Sequence, residues 1–72
     1  MQIFSNNPPK MFSKPQPGIV DEKITPDEPG RVKFKATYWP AMLFRDYSMT
    51  LYPGQEVAVV GSQGITLLVR PL

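Results

Sequence analysis

The sequence predicts an all-β fold, a small five-stranded antiparallel barrel with a flexible N-terminal arm. Three observations support this prediction. Short apolar runs alternate with turns that contain glycine or proline, as in all-β domains. No segment repeats apolar residues with the spacing of an amphipathic helix. The chain has only 72 residues, and closure into a barrel is how so small a β domain hides its strand edges.

The N-terminal segment, residues 1–17, is predicted to be an extended and mostly disordered arm, and the barrel domain is predicted to span residues 18–72. Four of the nine prolines of the chain lie in this arm. Each proline fixes φ and removes a backbone donor, so the arm is a poor helix and a poor central strand. Its candidates for docking on the barrel are Ile3, Phe4, Met11 and Phe12.

The first strands of the barrel are predicted between residues 30 and 43. The stretch GRVKFK alternates, with Val32 and Phe34 on one side and cations on the other, as in a half-buried strand. The stretch YWPAML also predicts a strand, whose phase depends on the preceding turn. We favour a tight turn at residues 35–37, because it takes the large apolar surface of the only tryptophan into the core. The inward residues of this strand are then Trp39, Ala41 and Leu43.

The last two apolar runs, VAVV and ITLLV, predict a hairpin. A Pro-Gly turn precedes the first run, since proline presets φ and glycine accepts a positive φ. Gly61 and Gly64 are interpreted as bracketing the short loop between the two arms. Pro71 ends the second arm, because it cannot donate to a ladder. The residues predicted to face the core are Val57, Val59, Ile65, Leu67 and Val69.

The composition argues against catalysis. The chain has no Cys and no His, which removes thiolate metal ligands and the commonest general base. Ser62 and Thr66 therefore have no histidine to activate them. The adjacent carboxylates within residues 21–28 are not expected to hold a cation, because sequence neighbours on an extended chain point to opposite faces. We predict no enzyme activity, no cofactor and no metal site.

A series of motifs runs in register over residues 30–72. GRV is followed by an aromatic-x-Ala pair, then by PG before the strand VAVV, and by a glycine before LLV. This series resembles the C-terminal OB-fold domain of NfeD-like proteins. Ala36 stands where that family usually has a glycine, which argues against a positive φ in the first hairpin turn. The matching residues are Gly30, Val32, Trp39, Ala41, Gly54, Val57, Val59, Val60, Gly64, Leu67 and Val69.

The resemblance implies an OB-fold barrel that acts as a non-catalytic protein–protein interaction module. Some longer family members add a serine-protease domain, but no residue here matches its nucleophile or base. Family members are associated with stomatin-like membrane proteins, so the resemblance implies a partner of that kind. The sequence also lacks a signal-peptide pattern and an apolar run long enough to span a bilayer, which predicts a soluble, cytoplasmic protein.

The favoured binding surface carries Tyr38, Met42 and Phe44. These side chains are predicted to lie on the side of their strand that faces away from the core. An exposed aromatic and methionine patch on a small domain is typical of a protein-binding site. The predicted occupant is a protein partner, and weak self-association through the same patch is a further expectation.

The alternative surface is the basic stripe Arg31, Lys33 and Lys35. Many OB-folds bind single-stranded nucleic acid with a basic groove and stacking aromatic rings. The net charge of the chain is only +2, and three cations on one strand give a modest field. A protein partner is therefore the favoured prediction, and single-stranded nucleic acid is the alternative.

Overall fold

The computed structural model describes residues 8–72, which form five strands and no helix. The strands are β1 (Lys10–Glu22), β2 (Gly30–Phe34), β3 (Thr37–Leu43), β4 (Glu56–Gln63) and β5 (Thr66–Pro71). They close into a barrel in the order β1-β2-β3-β5-β4, which confirms the predicted OB-fold-like barrel. One pair, β3 with β5, is parallel and the other pairs are antiparallel.

Strand β1 begins earlier than the predicted domain boundary. The sequence predicts an arm over residues 1–17, whereas residues 10–17 belong to β1. The correction has a physical reason. Gln16 and Pro17 lie opposite residues of β4, but the pairing of β1 with β2 extends only to Ile19. Proline is tolerated where a strand has a neighbour on one side alone. The candidate docking residues Ile3 and Phe4 lie outside the described residues.

Aliphatic side chains, half of them valines, fill the barrel. The predicted inward residues of β4 and β5 are buried here, apart from Ile65. The aromatic rings of Phe12 and Phe34 pack against this core with their centroids 6.4 Å apart, so Phe12, one of the docking candidates, lies on the barrel, which differs from the mostly disordered arm that was predicted. The core residues are Val20, Ile24, Val32, Ala41, Leu43, Leu51, Val57, Val59, Leu67 and Val69.

A backbone bridge joins Ile24 to Leu51, and both residues belong to this core. The two residues exchange N–H···O hydrogen bonds of 3.0 and 2.8 Å. Both side chains are fully buried. The bridge therefore ties the loop after β1 to the connection between β3 and β4, two segments without an apolar periodicity that would have predicted core residues.

The hairpin turn between β4 and β5 differs from the prediction. Gln63 pairs with Thr66, so the loop consists of Gly64 and Ile65 alone. Gly64 has a φ of 61°, which is the position where a two-residue hairpin turn requires glycine. Ile65 occupies the turn and is 70% exposed, so the prediction that it faces the core is wrong.

Gly61 lies inside β4 and does not bracket the turn. A register shift between Val59 and Gly61 forms a bulge in this strand. A Cβ at Gly61 would collide with the backbone carbonyl oxygen of Lys10. Glycine is therefore required here by the close approach of β1 to β4.

Trp39 is less buried than predicted. It lies opposite Val32 in the β2–β3 pair and shares the inward side with Ala41 and Leu43. However, 36% of Trp39 is exposed. It is near the end of the barrel where the β2–β3 turn lies, so its ring is only partly covered, whereas Ala41 and Leu43 are buried as predicted.

The β2–β3 turn has two residues with positive φ. Phe34 pairs with Thr37, which leaves Lys35 and Ala36 as the loop, with φ values of 52° and 66°. Positive φ at both central residues is the signature of a type I′ turn, whose twist matches that of the flanking strands. The expectation that Ala36 argues against such a turn is wrong, because the hairpin register imposes it.

Replacing Ala36 by glycine is expected to stabilise the domain. The left-handed conformation costs an alanine roughly 1 kcal/mol and costs glycine little. A gain of this size would raise the melting temperature by about 4–8 °C in a domain of this length. Thermal unfolding followed by circular dichroism measures it. Ala41→Gly, in the buried part of β3, is the control and is expected to lower the melting temperature; a lower value for Ala36→Gly would contradict the turn assignment.

Val59→Asp is expected to unfold the domain, whereas Ile65→Asp is expected to leave it folded. Val59 is fully buried, and burying an unpaired carboxylate costs at least about 4 kcal/mol. That is close to the whole stability of a small domain, roughly 5 kcal/mol. Ile65 is in solvent and provides the matched control. Melting of Val59→Asp at the wild-type temperature would show that this side of β4 does not face the core.

Candidate functional site

The outward side of β3 carries two exposed apolar side chains. Tyr38 is 54% exposed and Met42 is 39% exposed. Both alternate along β3 with the inward residues Ala41 and Leu43. They lie four residues apart, about 13 Å along an extended strand. With Phe44 they make up the predicted protein-binding surface, which we call the outer patch.

Phe44 differs from the other two members of the outer patch because it is partly buried. It packs against a second apolar cluster of three buried residues on the outer wall of the barrel. Its backbone N–H donates to the carbonyl of Val69 at 2.7 Å, and the guanidinium of Arg45 lies 5.5 Å from its ring centroid. Phe44 thus covers apolar surface of its own chain. The cluster residues are Ala58, Val60 and Leu68.

Two cations of the predicted basic stripe flank Tyr38. Lys33 lies directly opposite Tyr38 in the β2–β3 pair. The ammonium of Lys33 and the guanidinium carbon of Arg31 are 6.0 and 5.7 Å from the centroid of its ring, which is within the range of cation–π attraction. Lys35 lies apart in the turn, 5.5 Å from the ring of Phe34. The outer patch and two of the three cations therefore share one face.

Arg31 is held by two carboxylates. Its Nε donates to Oδ2 of Asp21 at 2.9 Å, and its Nη2 lies 2.9 Å from Oε2 of Glu22. The hydrogen bond with Asp21 and the charge of Glu22 raise the pKa of the Arg31 guanidinium above its ordinary value. The positive charge of Arg31 is therefore matched by two negative charges of its own chain.

A bulge in β1 makes this contact possible. Val20 lies opposite Val32 and Glu22 lies opposite Arg31, so Asp21 is an extra residue between them. A bulge sets two residues of one strand against one residue of the other. The expectation that Asp21 and Glu22 point to opposite faces is consequently wrong. The sequence carries no local signal for this bulge, because it arises from pairing with β2.

Ile19 is a surface residue that sequence reasoning left unassigned. It lies opposite Lys33 in the β1–β2 pair and is 42% exposed. Its neighbours Gly18 and Val20 are buried. The sequence carries no signal for its exposure, because Gly18, Ile19 and Val20 are all nonpolar and show no polar–apolar alternation.

A shallow cleft of about 270 Å³ is lined by Pro8, Lys10, Ser62 and Gly64. Lys10 is exposed at this cleft, and Ser62 is partly buried. Among residues 8–72, no group of three or more His, Cys, Asp or Glu side chains is placed to bind a metal ion. The described part of the chain also has no helix of the length and hydropathy needed to cross a membrane.

A closed five-stranded barrel with an aromatic and cationic outer face defines a small binding module. Residues 16–71 match the family described as the NfeD-like C-terminal, partner-binding domain. The chain belongs to this family, so the resemblance is confirmed. No curated protein sequence matches the chain.

Among solved structures, the chain is similar to the C-terminal domain of stomatin operon partner protein 1510-C from Pyrococcus horikoshii. The sequence identity is 28% and the TM-score is 0.68, over 78% of this chain and 81% of that chain. The family and this structure together support the general prediction that the chain acts by binding another protein. The chain is a protein-interaction module.

Phe44→Ala and Tyr38→Ala are expected to differ in their effect on stability. Removing the Phe44 ring uncovers the second apolar cluster and should lower the free energy of unfolding by about 2 kcal/mol, less than for a fully buried phenylalanine. Removing the exposed Tyr38 ring should cost less than about 1 kcal/mol. Urea denaturation of both variants measures the difference. Equal losses would show that Phe44 does not seal the outer wall of the barrel.

Proposed function

We propose that this domain binds a protein partner through the outer patch of Tyr38, Met42 and Phe44 and that it has no catalytic role. The observation that carries the proposal is the exposure of Tyr38 and Met42 on one side of β3. Phe44 continues the patch beyond the end of the strand and is fixed by the cluster beneath it. An apolar surface on a rigid support suits binding, because little order has to be gained when the partner arrives.

The partner that we propose is a stomatin-like membrane protein. The support is the printed name of the similar structure, a stomatin operon partner protein, together with the partner-binding description of the family. A domain of this size offers a patch of at most about 800 Å². One copy should therefore bind weakly, and an oligomeric partner should bind several linked copies more tightly through avidity.

Single-stranded nucleic acid is the second candidate, and the flanking of Tyr38 by two cations favours it. Stacking of a base on Tyr38 would need phosphate contacts from Arg31, Lys33 and Lys35. However, Arg31 is already paired with Asp21 and Glu22, and these carboxylates repel a phosphate backbone. A labelled oligonucleotide should therefore not bind measurably at physiological salt, and micromolar binding that weakens steeply with salt would favour nucleic acid instead.

Met42→Asp is expected to weaken binding to a purified stomatin-like protein by roughly tenfold or more, because it places a charge in the centre of an apolar contact. Met49→Asp is the matched control. Met49 is 42% exposed, close to the value for Met42, but it lies in the connection between β3 and β4. Biolayer interferometry with immobilised partner measures both variants against the wild type.

Binding should survive 0.5 M salt, since screening weakens exposed charge contacts and leaves apolar burial largely intact. Equal binding by the wild type and Met42→Asp would contradict the outer patch. Equal weakening by Met42→Asp and Met49→Asp would also contradict it.

A further inference from the structure

A row of three outward residues crosses the wall of the barrel beside the outer patch. Ile19 of β1 lies opposite Lys33 of β2, and Lys33 lies opposite Tyr38 of β3. Neighbouring strands are about 5 Å apart, so Ile19 and Tyr38 are roughly 10 Å apart across the row. Two exposed apolar groups thus stand on either side of one ammonium group.

Lys33 differs from Arg31 in having no anionic partner among residues 8–72. Over residues 8–72, the only ion pairs are those of Arg31 with Asp21 and Glu22. Glu56 lies on the far side of Ile19 in the β1–β4 pair and forms no ion pair with Lys33. The Lys33 ammonium lies over the ring of Tyr38, with its Nζ 6.0 Å from the ring centroid.

This arrangement constrains the chemistry of a partner. A surface that covers both Ile19 and Tyr38 must also remove water from the ammonium between them. Desolvating an unpaired cation is unfavourable unless an anion and hydrogen bonds replace the water. A purely apolar partner would therefore bind this row poorly, and one that adds an anion at Lys33 would bind it well.

We infer that the partner presents an acidic segment, in which a carboxylate flanked by apolar side chains pairs with Lys33 while its apolar neighbours cover Tyr38 and Ile19. The inference rests on the proposed function and specifies the partner's chemistry. A protein carboxylate fits better than a nucleic-acid backbone. The negative charges of Asp21 and Glu22 beside Arg31 oppose a chain of phosphates but leave room for one isolated carboxylate at Lys33.

The test is a phage-display experiment, in which random linear peptides are selected for binding to the full chain and, separately, to each variant. The wild type should enrich peptides with Asp or Glu next to aromatic or aliphatic residues. Lys33→Met, which keeps an apolar stem, should lose the acidic preference, and Lys33→Glu should enrich Lys or Arg instead. Lys35→Met is the control, because Lys35 lies in the β2–β3 turn, and it should select the same peptides as the wild type.

The strongest selected peptide is then synthesised and titrated. Its affinity should fall roughly fivefold for Lys33→Met, as expected for one charge contact at a partly exposed site. The wild-type affinity should fall by a similar factor in 0.5 M salt, whereas that of Lys33→Met should be insensitive to salt.

Several outcomes would overturn the inference. Selected peptides that need Met42 but show no acidic preference would overturn the inference and leave the proposed function standing. Selected peptides indifferent to both Met42→Asp and Lys33→Met would overturn both. The acidic-segment inference would also be overturned if the wild type enriched no peptide. It would be overturned as well if a labelled single-stranded oligonucleotide bound more tightly than the peptide and this binding depended on Lys33.

Discussion

Closure of the barrel by β1 is the constraint on which the rest of the structure depends. β1 pairs with β2 on one side and with β4 on the other, so its backbone must serve two neighbours. It does so with register shifts, and its contact with β4 is close enough that only glycine fits at Gly61. Without the pairing of β1 with β4 the sheet would be open, and its aliphatic interior would lose the cover that a core of this size needs.

The same closure decides where binding can occur. Each strand of the described barrel has a hydrogen-bonded neighbour on both sides over part of its length, so free edges for strand addition are confined to segments paired on one side, such as residues 10–17 of β1. The interior is filled by aliphatic side chains. Away from those segments, recognition has to come from side chains of the outer wall that point away from the core.

The features that depend on neighbouring residues could be predicted from the sequence. The features that depend on pairing between strands could not. Alternation placed Val32, Ala41 and Val59 in the core, because a strand repeats every two residues. A bulge shifts that repeat by one residue, and no pattern in the neighbouring residues predicts the bulge. The ion pairs of Arg31 with two adjacent carboxylates were missed for this reason. The extent of β1 could not be predicted either, because a proline disrupts a strand only on a side that has a neighbour, and residues 10–17 pair with β4 alone.

The bulge in β1 also sets the charge pattern of the outer wall. By bringing two carboxylates to Arg31, it leaves Lys33 and Lys35 as the cations of the stripe without an ion pair among residues 8–72, and of these two only Lys33 lies against the exposed ring of Tyr38. Under the proposed function, this matters more for selectivity than for affinity. Apolar contact with Tyr38 and Met42 favours the binding of almost any apolar surface, whereas an unpaired charge lowers the affinity of every partner that fails to neutralise it. The partner's anion must lie beside the Lys33 ammonium to neutralise it, so Lys33 would fix the register in which a partner lies across β2 and β3.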